Sequence, residues 1–389
     1  MLIVPAIQAL IPEMTAWRHD FHAHPEIAYQ EHRTSARIAE LLASFGYSVS
    51  IGLAGTGVVG TLTGSGTRAI MLRADMDGLV LEEAPSSLTY RSQCPGQMHG
   101  CGHDGHMAML LGAAKALAAS QALGKATVHV LFQPAEEGDS GAKRLVDEGL
   151  FRRFPVDAVF GLHNWPGLAL GKIAVKPGPV MASCDLIEIE LTGKGAHAAM
   201  PHQGKDVVLA AAQLTVALQG LIARETDPLD SAVLSITQIE AGKTWNVMPG
   251  HAVLRGTLRA LKPETHDRLE RRIEEMVAGM ASASGINCRL GYAQRHPPTV
   301  NSPQEAKLAA LAAADVLGEN GVRTDPRSSM VAEDFAYLLA ERPGAYVWLG
   351  AEKAGAAGLH NPAFDFNDQA LPIGASWWLR LVERFDSAL

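Results

Sequence analysis

Three short runs, Ala69–Ala74 (AIMLRA), Thr127–Phe132 (TVHVLF) and Ala158–Leu162, are almost continuously apolar and too short for ordinary helices. Such runs read as strands buried on both faces, the condition of a sheet covered by helices in an α/β domain. Each ends in polar residues: Asp75-Met76-Asp77-Gly78, then Gln133-Pro134-Ala135-Glu136-Glu137-Gly138, then His163-Asn164. Open α/β sheets bind ligands at the C-terminal ends of their strands. Acid or imidazole at three such ends marks one site assembled from distant loops.

Between the first two runs lies Met98 to His106, which packs three histidines, a cysteine, an aspartate and three glycines into nine residues. Cys101 and His103 are two apart, and in an extended segment their side chains face one point, as ligands of a divalent ion must. A helix is expected from about His106 to Ser120. Earlier, residues 13–45 read as helix broken at His22 to Glu26, and the apolar opening stretch, with Pro5 and Pro12 in it, reads as an opening helix packed on the domain. Near Ser183 the pattern changes. Asp185–Thr192 (DLIEIELT) alternates apolar and acidic, and the order from there to Tyr292 is β-α-β-β-α-β, a ferredoxin-like α+β module. The expected organisation is one domain of residues 1–183 and 296–389, with residues 184–295 inserted into it.

At 389 residues two domains are expected. Net charge is −8, from 33 Lys+Arg against 41 Asp+Glu, with no long basic tract. This argues against nucleic acid or an anionic membrane as partner. The N-terminus lacks a basic leader and is too short to span a bilayer, so cytoplasmic location is expected. Cys94, Cys101, Cys184 and Cys288 show no disulfide spacing. No GxGxxG follows the first strand, which disfavours a dinucleotide-dependent oxidoreductase.

The candidate ligands are Cys101, His103, Glu137, His163 and His360, a set suited to zinc, manganese, cobalt or nickel. Five exceed the usual three of one open zinc site, so two ions are expected to share them. Glu136 is assigned as general base and Glu137 to the metal, which requires the backbone to turn between them; Pro134 and Gly138 suit that turn. Asp75, Asp77 and Asp104 could be ligands, but with the ligand count filled they read as acceptors that hold imidazoles in one tautomer. Glu333 and Asp334 are similar candidates, with helix capping the alternative for Asp334. His99 and His106 carry less weight, because packing explains them as well. In the inserted module, Gly193 to His202 is a second Gly/His loop, and His197 could polarise a substrate carbonyl. Asn246 and Arg259 stand in apolar strand contexts, and an arginine suits a substrate carboxylate.

Taken together, His99-Gly-Cys-Gly-His-Asp-Gly-His106, Arg73 to Gly78, Gln133 to Gly138, Gly193 to Pro201, Asn246-Val-Met-Pro249 and His360-Asn-Pro362 resemble the dinuclear-metal amidohydrolases related to aminoacylase and carboxypeptidase. The branch they resemble contains hippurate hydrolases, N-acyl-amino-acid amidohydrolases and auxin-conjugate hydrolases. The resemblance implies a metallopeptidase-like catalytic domain with a central mixed sheet between helices, and an inserted lid and dimerisation domain. It implies two divalent ions on Cys101, His103, Glu137, His163 and His360, Glu136 as base and a homodimer. It also implies that His197 can serve a neighbouring subunit and that Asn246 and Arg259 lie near substrate. The expected reaction is cleavage of an N-acyl amino acid, with a hippurate-like aromatic acyl glycine the single best guess. A metallo-aminopeptidase or dipeptidase and, from another class, a non-catalytic metal sensor are the alternatives.

Overall fold

The computed structural model, which describes residues 1–120, 124–138 and 140–387, pairs the apolar runs as inner strands of an eight-stranded mixed sheet. Its order is Ser48–Leu53, Gly57–Leu62, Thr127–Gln133, Ala69–Asp75, Ala158–Trp165, Gly344–Gly350, Ile173–Ala174 and Val322–Arg323. The four strands from Thr127–Gln133 to Gly344–Gly350 run parallel. Their C-terminal ends therefore share one edge. All seven residues of Ala69–Asp75 are buried, as its near-continuous apolar run requires. The helix His103–Ala119 is buried from His103 through Ala114, and small residues such as Ala108 and Gly112 let it pack closely. Helices Pro5–Ala23, Pro303–Leu317 and Leu371–Ser387 share its core. Pro5–Ala23 is the expected opening helix packed on the domain, and it continues through Pro12. Both Pro12 and Gln8, whose carbonyl loses its helical partner, are exposed, so water can take the bond.

The chain divides into two units. The first comprises Met1–Gly178, Val300–Arg327 and Asp334–Leu389; the second comprises Pro179–Thr299 and Ser328–Glu333. The second holds strands in the order Ala232–Ala241, His251–Ala260, Cys184–Thr192 and Asn287–His296, all antiparallel. Helices Val207–Glu225 and Pro263–Ser284 complete the ferredoxin-like order. Ile187, Ile189 and Leu191 face its core, the buried side of the DLIEIELT alternation. The segment Ser328–Glu333, expected in the first domain, groups with this unit: Ser329 N donates to Val180 O at 2.9 Å and Ala182 N to Ser329 O at 3.1 Å.

Val207–Glu225 buries Val207, Ala210, Ala211, Leu214, Leu218 and Leu221, a stripe at helical spacing. Its other face exposes Val208, Leu209 and Val216. Among the described residues it is the one helix long and apolar enough to cross a membrane, and the stripe packed on its own sheet accounts for much of that apolarity.

Also in this unit, His266 Nε2 lies 2.7 Å from buried Asp185 Oδ2. That hydrogen bond raises the histidine pKa against the opposing effect of burial. A raised folded pKa gives stability that is complete below the unfolded value and is lost as pH rises through the folded one. His266→Gln should therefore lower the melting temperature more at pH 6 than at pH 9; an equal loss at both would remove the charged pair as the cause.

Candidate metal centre

Four loops reach the shared strand edge. Cys101 precedes the helix that His103 begins. Glu136 and Glu137 follow Thr127–Gln133, His163 lies within Ala158–Trp165, and His360 sits in the loop after Gly344–Gly350. The potential ligand atoms of Cys101, His103 and His163 lie within 4.8 Å of one another, as do those of Cys101, Glu137 and His360, and those of His103, Glu136 and Glu137. Cys101 Sγ is 3.4 Å from His163 Nε2, and His360 Nε2 is 3.2 Å from Glu137 Oε1. The five candidate ligands and the candidate base are thus brought together.

Local hydrogen bonds aim them. His163 Nδ1 is 2.7 Å from Asn164 O, and His103 Nδ1 is 2.9 Å from Asp77 O. A carbonyl oxygen only accepts, so each Nδ1 carries a proton and each Nε2 faces the cluster. His103 Nε2 is buried with no hydrogen-bond partner. Burial opposes protonation of His103, yet Asp75, Asp77 and Glu137 hold its pKa up at about 10. Burial first, then Glu137 and Glu136, push the Cys101 thiol well above its ordinary range. Burial, with neighbouring His106, drives His163 well below its own and keeps it neutral. An orphaned imidazole nitrogen, crowded acids and an N, S and O donor set fit divalent cations of the zinc, manganese, cobalt or nickel class.

Two details differ from the expected geometry. Cys101 and His103 are not in extended backbone. Gly102 turns left-handed between them at φ 99°, and the helix begins at His103, three residues before the expected start. Beside the bend at Glu137 and Gly138, where a turn was expected, Ala135 just before the pair is left-handed, at φ 56°, which was not expected. A left-handed alanine costs about 1–2 kcal/mol, so surrounding contacts must hold it. His360 is also left-handed, at φ 60°, and its N–H donates to Gly100 O at 2.8 Å.

Asp75 takes His106 Nδ1 at 2.6 Å and Arg73 Nη1 at 2.7 Å. Although burial opposes ionisation, His103 and Arg73 hold its pKa well below the usual carboxylate range. Asp77 offers its main-chain oxygen to His103 and accepts from Glu137 N at 3.0 Å. Asp104 faces elsewhere: it lies 2.8 Å from His22 Nδ1 and 3.0 Å from Arg18 Nε, so it holds no imidazole of the five. Asp334 accepts from Arg73, from Gln133 and, at 2.9 Å, from Ala142 N. Sequence reading passed over Arg73 and Asn164 and gave His106 little weight. A charge inside the apolar AIMLRA run was the available signal for Arg73.

In the second unit, His197 is cross-strand partner to Val247, and Ala198 N donates to Asn246 O at 3.0 Å, so the two Gly-rich loops meet. His197 Nδ1 accepts from Ala199 N at 3.1 Å, which leaves an exposed Nε2–H as donor. Arg259 is not with them. It sits near the far end of His251–Ala260, roughly 25 Å along the strand at ~3.3 Å per residue, where Nη1 donates to Met330 O at 3.2 Å.

The model of peptidase family M20/M25/M40 matches residues 71–384. The hippurate hydrolase of Campylobacter jejuni is 38% identical over 386 residues, covering 99% of this chain and 100% of that one. An IAA-amino acid hydrolase of Arabidopsis thaliana is 37% identical, with 96% of this chain and 85% of that one covered. The crystal structure of the Bacillus subtilis YXEP protein, described as a dinuclear metal binding peptidase from the M20 family, superposes with TM-score 0.86 at 32% identity, over 98% of this chain and 100% of that one.

A side chain at Gly102 would meet Asn164 Oδ1 at 2.3 Å, in backbone that side chains rarely adopt. Gly102→Ala should cost about 1–3 kcal/mol of stability and weaken metal retention, as read by thermal unfolding and metal analysis. An unchanged melting temperature with full metal content would show that the turn tolerates the methyl group.

Proposed function

The chain belongs to peptidase family M20/M25/M40, and from that premise we propose that it hydrolyses the amide bond of N-acyl amino acids, with hippurate-like aromatic acyl amino acids as the preferred class. The observation that carries this reading is the convergence of thiol, imidazole and carboxylate atoms within 4.8 Å, with Glu136 beside them. Names borne by relatives at 37–38% identity, hippurate hydrolase and IAA-amino acid hydrolase, support the acyl-amide class. Cys101, His103, Glu137, His163 and His360 would hold two divalent ions, which supply Lewis acidity toward water and toward the amide carbonyl when bound.

The protein's own groups do the rest. Glu136 takes a proton from water as its oxygen forms the new bond to the acyl carbon. His197 donates its Nε2–H to the carbonyl oxygen as negative charge develops there. Glu136 then passes the proton to the nitrogen as the C–N bond breaks, releasing the acid and the free amino acid. Arg259 and Asn246 are the proposed partners of the substrate carboxylate.

One chain cannot bring both ends of its His251–Ala260 strand to one small substrate. If His197 and Arg259 both serve catalysis, they come from different copies. This favours a homodimer through the second unit. Exposed Val208, Leu209 and Val216 on one helix, with exposed Val233 and Ile239 on the edge strand Ala232–Ala241, supply an apolar face for it.

Glu136→Gln should retain metal yet lose about 10²–10⁴ of kcat on hippurate; comparable turnover at full metal occupancy would remove Glu136 as base. Cleavage of an unblocked dipeptide but not of hippurate would replace the acyl-amide reading with a peptidase one. Sedimentation should give twice the 41.3 kDa chain mass. Mixing inactive His197→Ala and Glu136→Gln chains should restore part of the activity, and no restoration after verified exchange would place His197 in its own subunit's chemistry.

A further inference from the structure

Glu31 is fully buried at the start of the helix His32–Ser44, more than a hundred residues before the glutamate pair. Its carboxylate meets two donors. Oε2 accepts from Thr56 Oγ1 at 2.6 Å, and Oε1 accepts from Ala135 N at 2.9 Å. Ala135 is the left-handed residue directly before Glu136 and Glu137. The backbone around that turn has two further anchors: Gly141 N donates to Ala135 O at 3.0 Å, and Glu137 N donates to Asp77 Oδ2 at 3.0 Å. Those come from the adjoining loop and from the strand end beneath it. The Glu31 bond reaches the turn from a helix start more than a hundred residues earlier in the chain.

From this geometry we infer that Glu31 is a positioning residue, which holds Ala135 left-handed and so sets the directions of Glu136 and Glu137. Its own main chain is fixed, because Ser35 N donates to Glu31 O at 2.9 Å within the helix start. Thr56 fixes the rotation of the carboxylate. Without an acceptor here the Ala135 N–H would be buried and unpaired, and the peptide would gain by rotating toward ordinary right-handed or extended backbone. That rotation would swing both glutamate side chains. Glu31 touches neither metal nor substrate in this account, which rests on the proposed assignment of Glu137 to metal and Glu136 to proton transfer.

The test separates position from mere support. Glu31→Met keeps bulk and removes the acceptor. Glu31→Gln keeps an oxygen for Ala135 N–H and offers Thr56 an amide donor. Each metal-stripped protein is titrated with Zn²⁺ alone in a calorimeter well below its melting temperature, and kcat and KM on hippurate are then measured at full metal. Glu31→Met should weaken Zn²⁺ binding and lower kcat, each by about 10- to 100-fold, with KM within about twofold. Glu31→Gln should restore both to within about threefold. Glu31→Met with wild-type Zn²⁺ affinity and kcat would overturn the inference, even if its melting temperature falls, and so would a Gln variant as impaired as the Met one. Should Glu31→Met fail to fold, Thr56→Val loosens the same carboxylate, and an unchanged Zn²⁺ affinity there would overturn it. A wild-type protein that binds Zn²⁺ but leaves hippurate intact would count against the proposed substrate alone, since the Zn²⁺ titrations still decide the role of Glu31.

Discussion

An arginine with no solvent exposure lies under the cluster. Arg73 donates to Asp75 Oδ2 at 2.7 Å, Gln133 Oε1 at 2.8 Å and Asp334 Oδ1 at 3.1 Å. Taking a guanidinium out of water costs several kcal/mol unless its partners are complete and well oriented. Here the partners end two parallel strands and begin the segment after Arg327 of the first unit, so one cation fixes their relative positions. Gln133 and Asp334 bond each other as well, and Asp334 caps the helix Gly141–Asp147 through Ala142 N. The loop that carries Glu136 and Glu137 is therefore tethered at both its ends.

A second buried cation does the same work for the other ligands. Arg18 reaches Asp104 at 3.0 Å and Asp365 at 2.5 Å. Asp104 follows His103, and Asp365 lies five residues past His360. His22, its pKa raised to about 9 by Asp104 and Glu83 against the effect of burial, closes this layer. The metal loop and the His360 loop are thus clamped to one guanidinium. The two arginines thus tie the segments beside His103, the glutamate pair and His360 to the frame of the first unit.

Much of this was legible in the chain because strand ends have a local signature. AIMLRA and TVHVLF are short, apolar and followed by acids, and Glu137 and His163 could be picked out from such neighbourhoods, while Cys101 stood out in the dense Gly/His run from Met98 to His106. The ferredoxin-like module was legible for the same reason: alternation in DLIEIELT and AVLRGTLRA marks half-buried strands. Local pattern failed where the decisive contact is long-range. Nothing near Glu31 announces that it bonds Ala135, and nothing near Arg18 announces Asp104 or Asp365. The helix start was misplaced because one glycine, Gly102, suffices to begin a helix at His103, and Ala135 was passed over because it is an improbable left-handed residue. The strands Ile173–Ala174 and Val322–Arg323 were missed because two residues carry no periodicity.

The discontinuous first unit has a consequence for synthesis. Its core includes Met14 and Phe21 near one end of the chain and Trp377, Trp378 and Phe385 near the other. A core cluster of the second unit draws on residues between Ile187 and Tyr292. On the ribosome, the later-encoded insert can consolidate while the earlier-encoded sheet still waits for its closing helix. A cation held by all five candidate ligands together would have to wait for His360, which is encoded well after Cys101, Glu137 and His163.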